Sequence, residues 1–329
     1  MPIVTDYEWE SKDKKGNITK HKGFSMDGYE AESLYDVPKY LDKNRDLPII
    51  VSGRANVGTG KSTKAFQIGL YLAWRLAGGE QNLIRNERGR FINTKIIKSP
   101  DKPLNFSLNN VVFSPEELVD KAKSLPKRSV IIFDEGRQGL SSRDSMSALN
   151  RLLETFFEEC RVLNHVIIIV LPNFFKLGEE IATARSMALI DCYEDENFNR
   201  GYFAFFNKIQ KEWLYFLGKK KLGATQKYFA AKPSFSGRFT SFFPFDKDKY
   251  ENMKIEALKK KTLGSRIERN KARYIILLKL YKDLSGKTIQ EIADELSNIM
   301  KQKVTLGSLE MDMKRYNHYV KEGYASDME

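Results

Sequence analysis

Ile49-Ile50-Val51-Ser52-Gly53-Arg54-Ala55-Asn56-Val57-Gly58-Thr59-Gly60-Lys61-Ser62-Thr63 runs from an apolar strand through a glycine-punctuated loop into the first turn of a helix. Each part serves one chemistry. Flexible residues let the backbone N–H groups of Asn56, Val57, Gly58, Thr59 and Gly60 curl around a triphosphate. Lys61 reaches the β- and γ-phosphates, and the Ser62 hydroxyl, with Thr63 beside it, serves Mg2+. The stretch reads as a phosphate-binding loop for ATP or GTP. Ala55 stands where the usual pattern has its first glycine, and Gly53 and Gly58 restore the flexibility. A helix is predicted over Lys61 to Leu76, with Phe66, Ile68, Leu70, Tyr71, Leu72 and Leu76 apolar. The bland alternative is a strand-to-helix turn that binds nothing.

A second motif supports the first. Val130-Ile131-Ile132-Phe133-Asp134-Glu135 is a buried strand delivering two adjacent carboxylates to its C-terminal end, the edge of a parallel α/β sheet where ligands bind. Neighbouring side chains on a strand point to opposite faces, so two roles fit better than one. Asp134 is assigned to Mg2+, through water or through Ser62, and Glu135 to polarising the attacking water. Phosphoryl transfer then depends on positioning and charge neutralisation. Lys61 supplies one cation, and Arg161 and Arg185 are candidates for a second supplied by a neighbouring subunit, with Arg137, Arg143 and Arg151 behind them. For Arg161 an ion pair with Glu158 one helical turn away is the competing role.

Strand and helix patterns alternate around these motifs. A short helix is predicted over Ser33 to Asn44, and Gly78-Gly79 ends the loop helix. Asn82 to Asn109 reads as an excursion from the core. Val111 to Phe113 is a strand, Ser114-Pro115 caps a helix through Leu125, and Ser129 to Phe133 is the next strand. Helix Ser145 to Arg161, strand His165 to Leu171, helix Leu177 to Ala184 and strand Met187 to Tyr193 follow. The fold class is α/β: a mainly parallel sheet between helices. Two aromatic runs, Gly201 to Phe206 and Glu212 to Leu217, read as an antiparallel edge hairpin, with a base-stacking platform as a second use. From Lys249 the chain reads as helical. Thr288 to Leu296 and Thr305 to Val320 have the spacing of a helix-turn-helix, which also fits a protein-docking unit. The expected organisation is an N-terminal arm over residues 1–40, a P-loop ATPase domain over 41–245 and a basic helical domain over 246–329.

The chain has 329 residues and a formal charge of +12, with a pI of about 9.4. This charge favours a polyanionic partner. Lysines and arginines crowd the stretches Lys208 to Arg238 and Lys259 to Lys282, although charge runs are often only solvated surface. With two cysteines, neither a disulfide framework nor a four-cysteine zinc site can be built. His21, His165 and His318 are too scattered to suggest a metal cluster, which leaves nucleotide-borne Mg2+ as the expected metal. The polar N-terminus has no signal-peptide core, and the longest apolar run, Val166 to Leu171, is strand-sized. Membrane insertion is therefore not expected, and a cytoplasmic location is.

The order of Ala-x4-Gly-Lys-Ser-Thr, Ile-Ile-Phe-Asp-Glu, Glu158-x-x-Arg161-x-x-Asn164-His165 leading into Val166 to Leu171-Pro172, then Arg185 before another strand, resembles the FtsK/HerA superfamily of DNA-pumping ATPases. The closest-looking branch is the zonular occludens toxin-like proteins of phages and mobile elements. The similarity covers about Pro48 to Tyr193. It implies an oligomeric ring, usually hexameric, that threads double-stranded DNA with an arginine acting between subunits. It carries Lys61 and Ser62 to phosphate and Mg2+, Asp134 to Mg2+ and Glu135 to water activation. Where the family has a polar sensor at the end of the strand before the proline, this chain has Val170-Leu171-Pro172, and Asn173 is the substitute candidate. The transmembrane helix of anchored members is missing, which points to soluble translocation or packaging.

The leading expectation is thus an ATP-driven motor acting on viral or mobile-element DNA. A packaging terminase would need a later acidic nuclease cluster, which is not found. A non-translocating switch that acts through the helical C-terminal domain is the competing class. The Asn-Lys-x-Asp element of a GTPase does not occur, which favours ATP.

Overall fold

The computed structural model describes residues 2–12, 16–43, 45, 47–54, 58–100, 103–134, 150, 153–154, 156–157, 161–221, 228–257, 288–300 and 305–307. The chain divides into two compact units, Met1–Leu258 and Lys259–Glu329.

The first unit is built on a seven-stranded mixed, mostly parallel sheet. Its strands are β3 (Leu47–Ser52), β6 (Val111–Val112), β7 (Val130–Asp134), β8 (Val166–Val170), β9 (Ala188–Tyr193), β10 (Tyr202–Phe206) and β11 (Phe235–Arg238), in the order β11-β10-β9-β3-β8-β7-β6. All pairs from β9 to β6 are parallel, and β10 runs antiparallel to both β9 and β11. The central strands are buried on both faces, which is why they read as unbroken apolar runs. Leu47, Ile49 and Val51 of β3, Val130 and Ile132 of β7, and Val166, Ile168 and Val170 of β8 face one core. Ile50, Ile131, Phe133, Ile167 and Ile169 face the other.

Helices flank the sheet. On the first face lie α1 (Gly28–Leu34), α2 (Val37–Leu41) and α3 (Lys61–Leu76). The second core takes in Leu118 and Ala122 of α4 (Pro115–Ser124) and Leu214 and Tyr215 of α5 (Lys208–Phe216). The predicted cap of α4 is present: Ser114 Oγ accepts from Glu117 N at 3.1 Å, with Pro115 in the first turn.

Several local expectations are corrected or gain detail. The stretch before β3 holds two short helices in place of one, because Asp36 and Pro38 restart the helix after Tyr35. The preceding arm contains an antiparallel pair, β1 (Pro2–Lys12) and β2 (Ile18–Ser25). The excursion after α3 is another pair, β4 (Glu80–Arg85) and β5 (Phe91–Lys98), in a sheet of its own. The helix expected over Leu177 to Ala184 is a single wide turn, Glu180–Arg185. Of the helix Ser145 to Arg161, residues 150, 153, 154, 156 and 157 are helical, and Arg161–Leu163 is a 3-10 turn. The remainder lies outside the described residues.

The edge hairpin is also corrected. β10 is the expected antiparallel strand, but its second neighbour is β11, and Glu212 to Leu217 is helical. Asn207 Oδ1 accepts from Gln210 N at 3.0 Å and caps that helix. Lys211, Leu214 and Tyr215 are its buried positions, a spacing of three and four that belongs to a helix. Most of these aromatics are core rather than platform, since Phe203, Phe205, Phe206 and Tyr215 are buried, whereas Trp213 is exposed.

From the first unit's last stretch, residues 247–257 form helix α6. In the second unit, α7 (Ile289–Met300) opens on a capping box: Glu291 Oε2 accepts from Thr288 N at 2.6 Å, and Thr288 Oγ1 accepts from Glu291 N at 3.4 Å. Most of the expected following helix, and the basic run Lys259 to Lys282, lie outside the described residues. No described helix is long and apolar enough to cross a membrane.

Candidate functional site

Gly53 begins the loop because nothing larger fits. A Cβ there would lie 2.6 Å from Thr59 Oγ1 and 3.0 Å from the Cys192 carbonyl oxygen. Ala55, Asn56 and Val57 lie outside the described residues, and the chain resumes at Gly58. Gly60 has φ +85° and packs against the Phe239 ring, so the residue that caps α3 must lack a side chain. Thr59 is fully buried, and its hydroxyl accepts from Lys61 Nζ at 3.3 Å. Ser62 and Thr63 follow in the first turn of α3, where free backbone N–H groups and the helix dipole favour an anion.

The two motifs meet. Ser62 Oγ donates to Asp134 Oδ2 at 2.8 Å across 72 residues of sequence, although β8 lies between β3 and β7 in the sheet. Parallel strands bring this about, because their C-terminal ends share one edge. Asp134 is buried there, at the last position of β7. Glu135, the next residue, lies outside the described residues.

A cavity of about 590 Å³ opens over this edge. Gly58 to Thr63, Asp134 and the apolar end of β8, Val170 to Pro172, line its floor. Its other wall comes from residues that sequence reasoning did not select: Arg200, Phe239, Ser241, Lys247, Tyr250 and Lys254. Among the described lining residues the cations Lys61, Arg200, Lys247 and Lys254 outnumber the carboxylates Asp134 and Glu251, and Arg200 pairs with Glu194 at 3.3 Å, so the chamber suits a polyanion.

The wall is anchored on α3. Gln67 Nε2 donates to the carbonyls of Thr240 and Phe242 at 2.9 and 2.8 Å. The Phe66 ring meets Phe243, Phe245 and Tyr250 edge-on, with centroids 4.7, 5.5 and 5.2 Å away. Tyr250 and Lys254, one turn apart on α6, both reach Asp134. The Tyr250 hydroxyl donates to Oδ2, and Lys254 Nζ lies 3.3 Å from Oδ2 and 3.4 Å from Oδ1. Burial, then the adjacent carboxylate, pushes the Tyr250 hydroxyl well above the ordinary tyrosine range, so it stays a donor. The spacing Lys247, Tyr250, Lys254 was the available sequence signal, since it places all three on one helical face.

The other sequence-selected residues lie elsewhere or in other roles. Asn173 is buried, and its Oδ1 accepts from Phe175 N at 2.9 Å, capping the turn Phe174–Lys176. It is not among the described residues lining the cavity. Arg185 ends the wide turn Glu180–Arg185 and pairs with Glu180 at 2.8 Å. That turn is pinned by buried Lys211, whose Nζ donates to the carbonyls of Ala182, Thr183 and Ser186 at 2.6, 3.0 and 2.8 Å. The Arg161 side chain, and Arg137, Arg143 and Arg151, lie outside the described residues. Arg54, in the loop itself, turns away from the cavity to pair with buried Asp191 at 2.9 Å, between the rings of Tyr193 and Phe229.

Among the described residues no cluster of three or more His, Cys, Asp or Glu forms a metal site. A hydroxyl and a single carboxylate in contact fit Mg2+, which takes few protein oxygens and completes its shell with phosphate and water. No protein-family model matches this chain, and no curated protein sequence matches it.

Proposed function

We propose that the protein is a P-loop nucleoside-triphosphate hydrolase that uses ATP with Mg2+ and drives DNA translocation or packaging as an oligomer. One observation carries the catalytic half of this reading: the 2.8 Å contact between Ser62 and Asp134 joins two independently recognised motifs at the mouth of a cationic cavity. The loop from Asn56 to Thr63 wraps the phosphates, and Lys61 neutralises them at the β/γ end. Ser62 and Asp134 would hold Mg2+, which supplies charge neutralisation at the transferred phosphoryl group when bound. Glu135, next to Asp134 in the chain, takes the proton of the attacking water. Arg161 or Arg185 of a neighbouring copy supplies the remaining positive charge.

The DNA half rests on the net charge of +12 and on the motif order shared with the FtsK/HerA superfamily. A ring, with a hexamer favoured, places each site at a subunit boundary. The capped helix Ile289–Met300 belongs to the candidate DNA-contacting or partner-contacting domain.

The test is ATP hydrolysis with and without double-stranded DNA at about 100 mM salt, which suppresses purely electrostatic sticking, together with sedimentation. Stimulated hydrolysis by an assembled ring, abolished in Lys61→Ala and Glu135→Gln, supports the motor. Hydrolysis by a monomer indifferent to DNA gives the reading to a nucleotide-dependent switch. No hydrolysis and no nucleotide binding removes both.

A further inference from the structure

Asp134 carries more donors than a metal ligand needs. Its Oδ2 accepts from Ser62, Tyr250 and Lys254, and its Oδ1 lies 3.4 Å from Lys254 Nζ. The Asp134 side chain is 3% exposed and the Lys254 side chain 24%. A carboxylate this buried is strongly destabilising without a counter-charge, and α6 brings one from outside the sheet. Lys254 also donates to the Tyr250 hydroxyl at 3.2 Å, so the two α6 residues form one unit on the carboxylate. Tyr250 is clamped in turn by the rings of Phe66 and Phe243, and Phe113 lies 6.1 Å away.

We propose that Lys254 is the resident counter-ion of Asp134, which a divalent metal must displace, so that α6 sets the metal requirement of the nucleotide site. The inference rests on the nucleotide-site reading above. Its physical basis is competition: an ammonium and a divalent cation on the same two carboxylate oxygens repel, and only one can hold them. Lys254 suits the part because its charge rides on a flexible four-carbon stem that can leave while α6 stays anchored through Tyr250 and the phenylalanines. Once displaced, the ammonium remains in a chamber whose arriving ligand is a polyanion, so its charge is not stranded.

The experiment follows a fluorescent ADP analogue bound to the full chain during Mg2+ titration, in wild type, Lys254→Met and Lys254→Arg. Removing a cation in contact with the metal-binding carboxylate is expected to lower the Mg2+ midpoint about tenfold or more, whereas Lys254→Arg keeps it within about threefold. An unmoved midpoint in Lys254→Met overturns the proposal. So does equal weakening of nucleotide binding with Mg2+ and with chelator, which would make Lys254 a plain phosphate ligand. If wild type binds no nucleotide, the site reading has failed, and Mn2+ added to nucleotide-free protein decides the counter-ion separately. Electron paramagnetic resonance should then show tighter Mn2+ binding in Lys254→Met than in wild type, and equal binding refutes it. Circular dichroism checks the fold, and Lys254→Gln replaces Lys254→Met if that variant unfolds.

Discussion

Removing Glu30 should destabilise the first unit far more than removing both members of the ion pair to which it belongs. Glu30 of α1 and Lys64 of α3 are in contact at 0% and 1% exposure. The ammonium also sits over the Phe203 ring, 4.0 Å from its centroid, and one carboxylate oxygen, Oε1, has no hydrogen-bond partner among the described residues. Burial outweighs the lysine's pull and raises the Glu30 carboxyl above its ordinary range. At an effective dielectric of about 20, charges about 4 Å apart attract by about 4 kcal/mol. Breaking a buried pair by truncating one partner costs about 3–5 kcal/mol, because the other charge is stranded. Glu30→Ala should therefore lower the urea midpoint by about 1–2 M, taking a slope near 3 kcal/mol/M. The double variant Glu30→Leu/Lys64→Met removes both charges and should recover most of that loss. Buried Trp74 provides the fluorescence signal. A Glu30→Ala loss under about 1 kcal/mol, or a double variant no more stable than Glu30→Ala, would refute the reasoning.

Three further outcomes are expected. His165 is buried and neutral, with Ser129 N donating to Nδ1 at 3.2 Å and Nε2 bonded to the Ala122 carbonyl at 2.9 Å, and burial lowers its pKa below 6.5. The unfolded chain then binds more protons at acid pH. The stability due to His165 is complete above about pH 6.5 and is lost as pH falls, so His165→Gln should flatten the unfolding profile on the acid side of about pH 6.5. Phe66→Ala should cost about 3–5 kcal/mol and speed proteolysis within residues 239–257, since Phe66 bears their rings. Unchanged cleavage would show that the wall is held otherwise. Gly53→Ala should weaken nucleotide binding at least about tenfold, because its methyl would crowd the Thr59 hydroxyl at 2.6 Å and the Cys192 carbonyl oxygen at 3.0 Å and shift the loop; calorimetry with an ATP analogue showing wild-type affinity would count against the loop geometry.

The central strands were legible because parallel strands buried on both faces leave unbroken apolar runs such as Val130 to Phe133 and Val166 to Val170. The edge was not. Residues 212–217 carry Trp213, Tyr215 and Phe216, types that favour strands, and only the Asn207 cap and the burial of Lys211, Leu214 and Tyr215 resolve them as helix. The strands of the arm went unread for a related reason: short polar strands such as Ile18–Ser25 lack a one-sided apolar pattern that could announce them.

By itself the amino-acid sequence determined the apolar strands of the parallel core and placed a glycine-rich loop before α3 and Asp134 at the end of β7, since each depends on residue types at short spacing. Only the tertiary structure decided what surrounds Asp134. Tyr250 and Lys254 lie 116 and 120 residues further along the chain. No local pattern links residues so far apart. They meet because α6 is clamped to α3 through Phe66, and buried contacts across the whole sheet bring α3 and β7 to one edge.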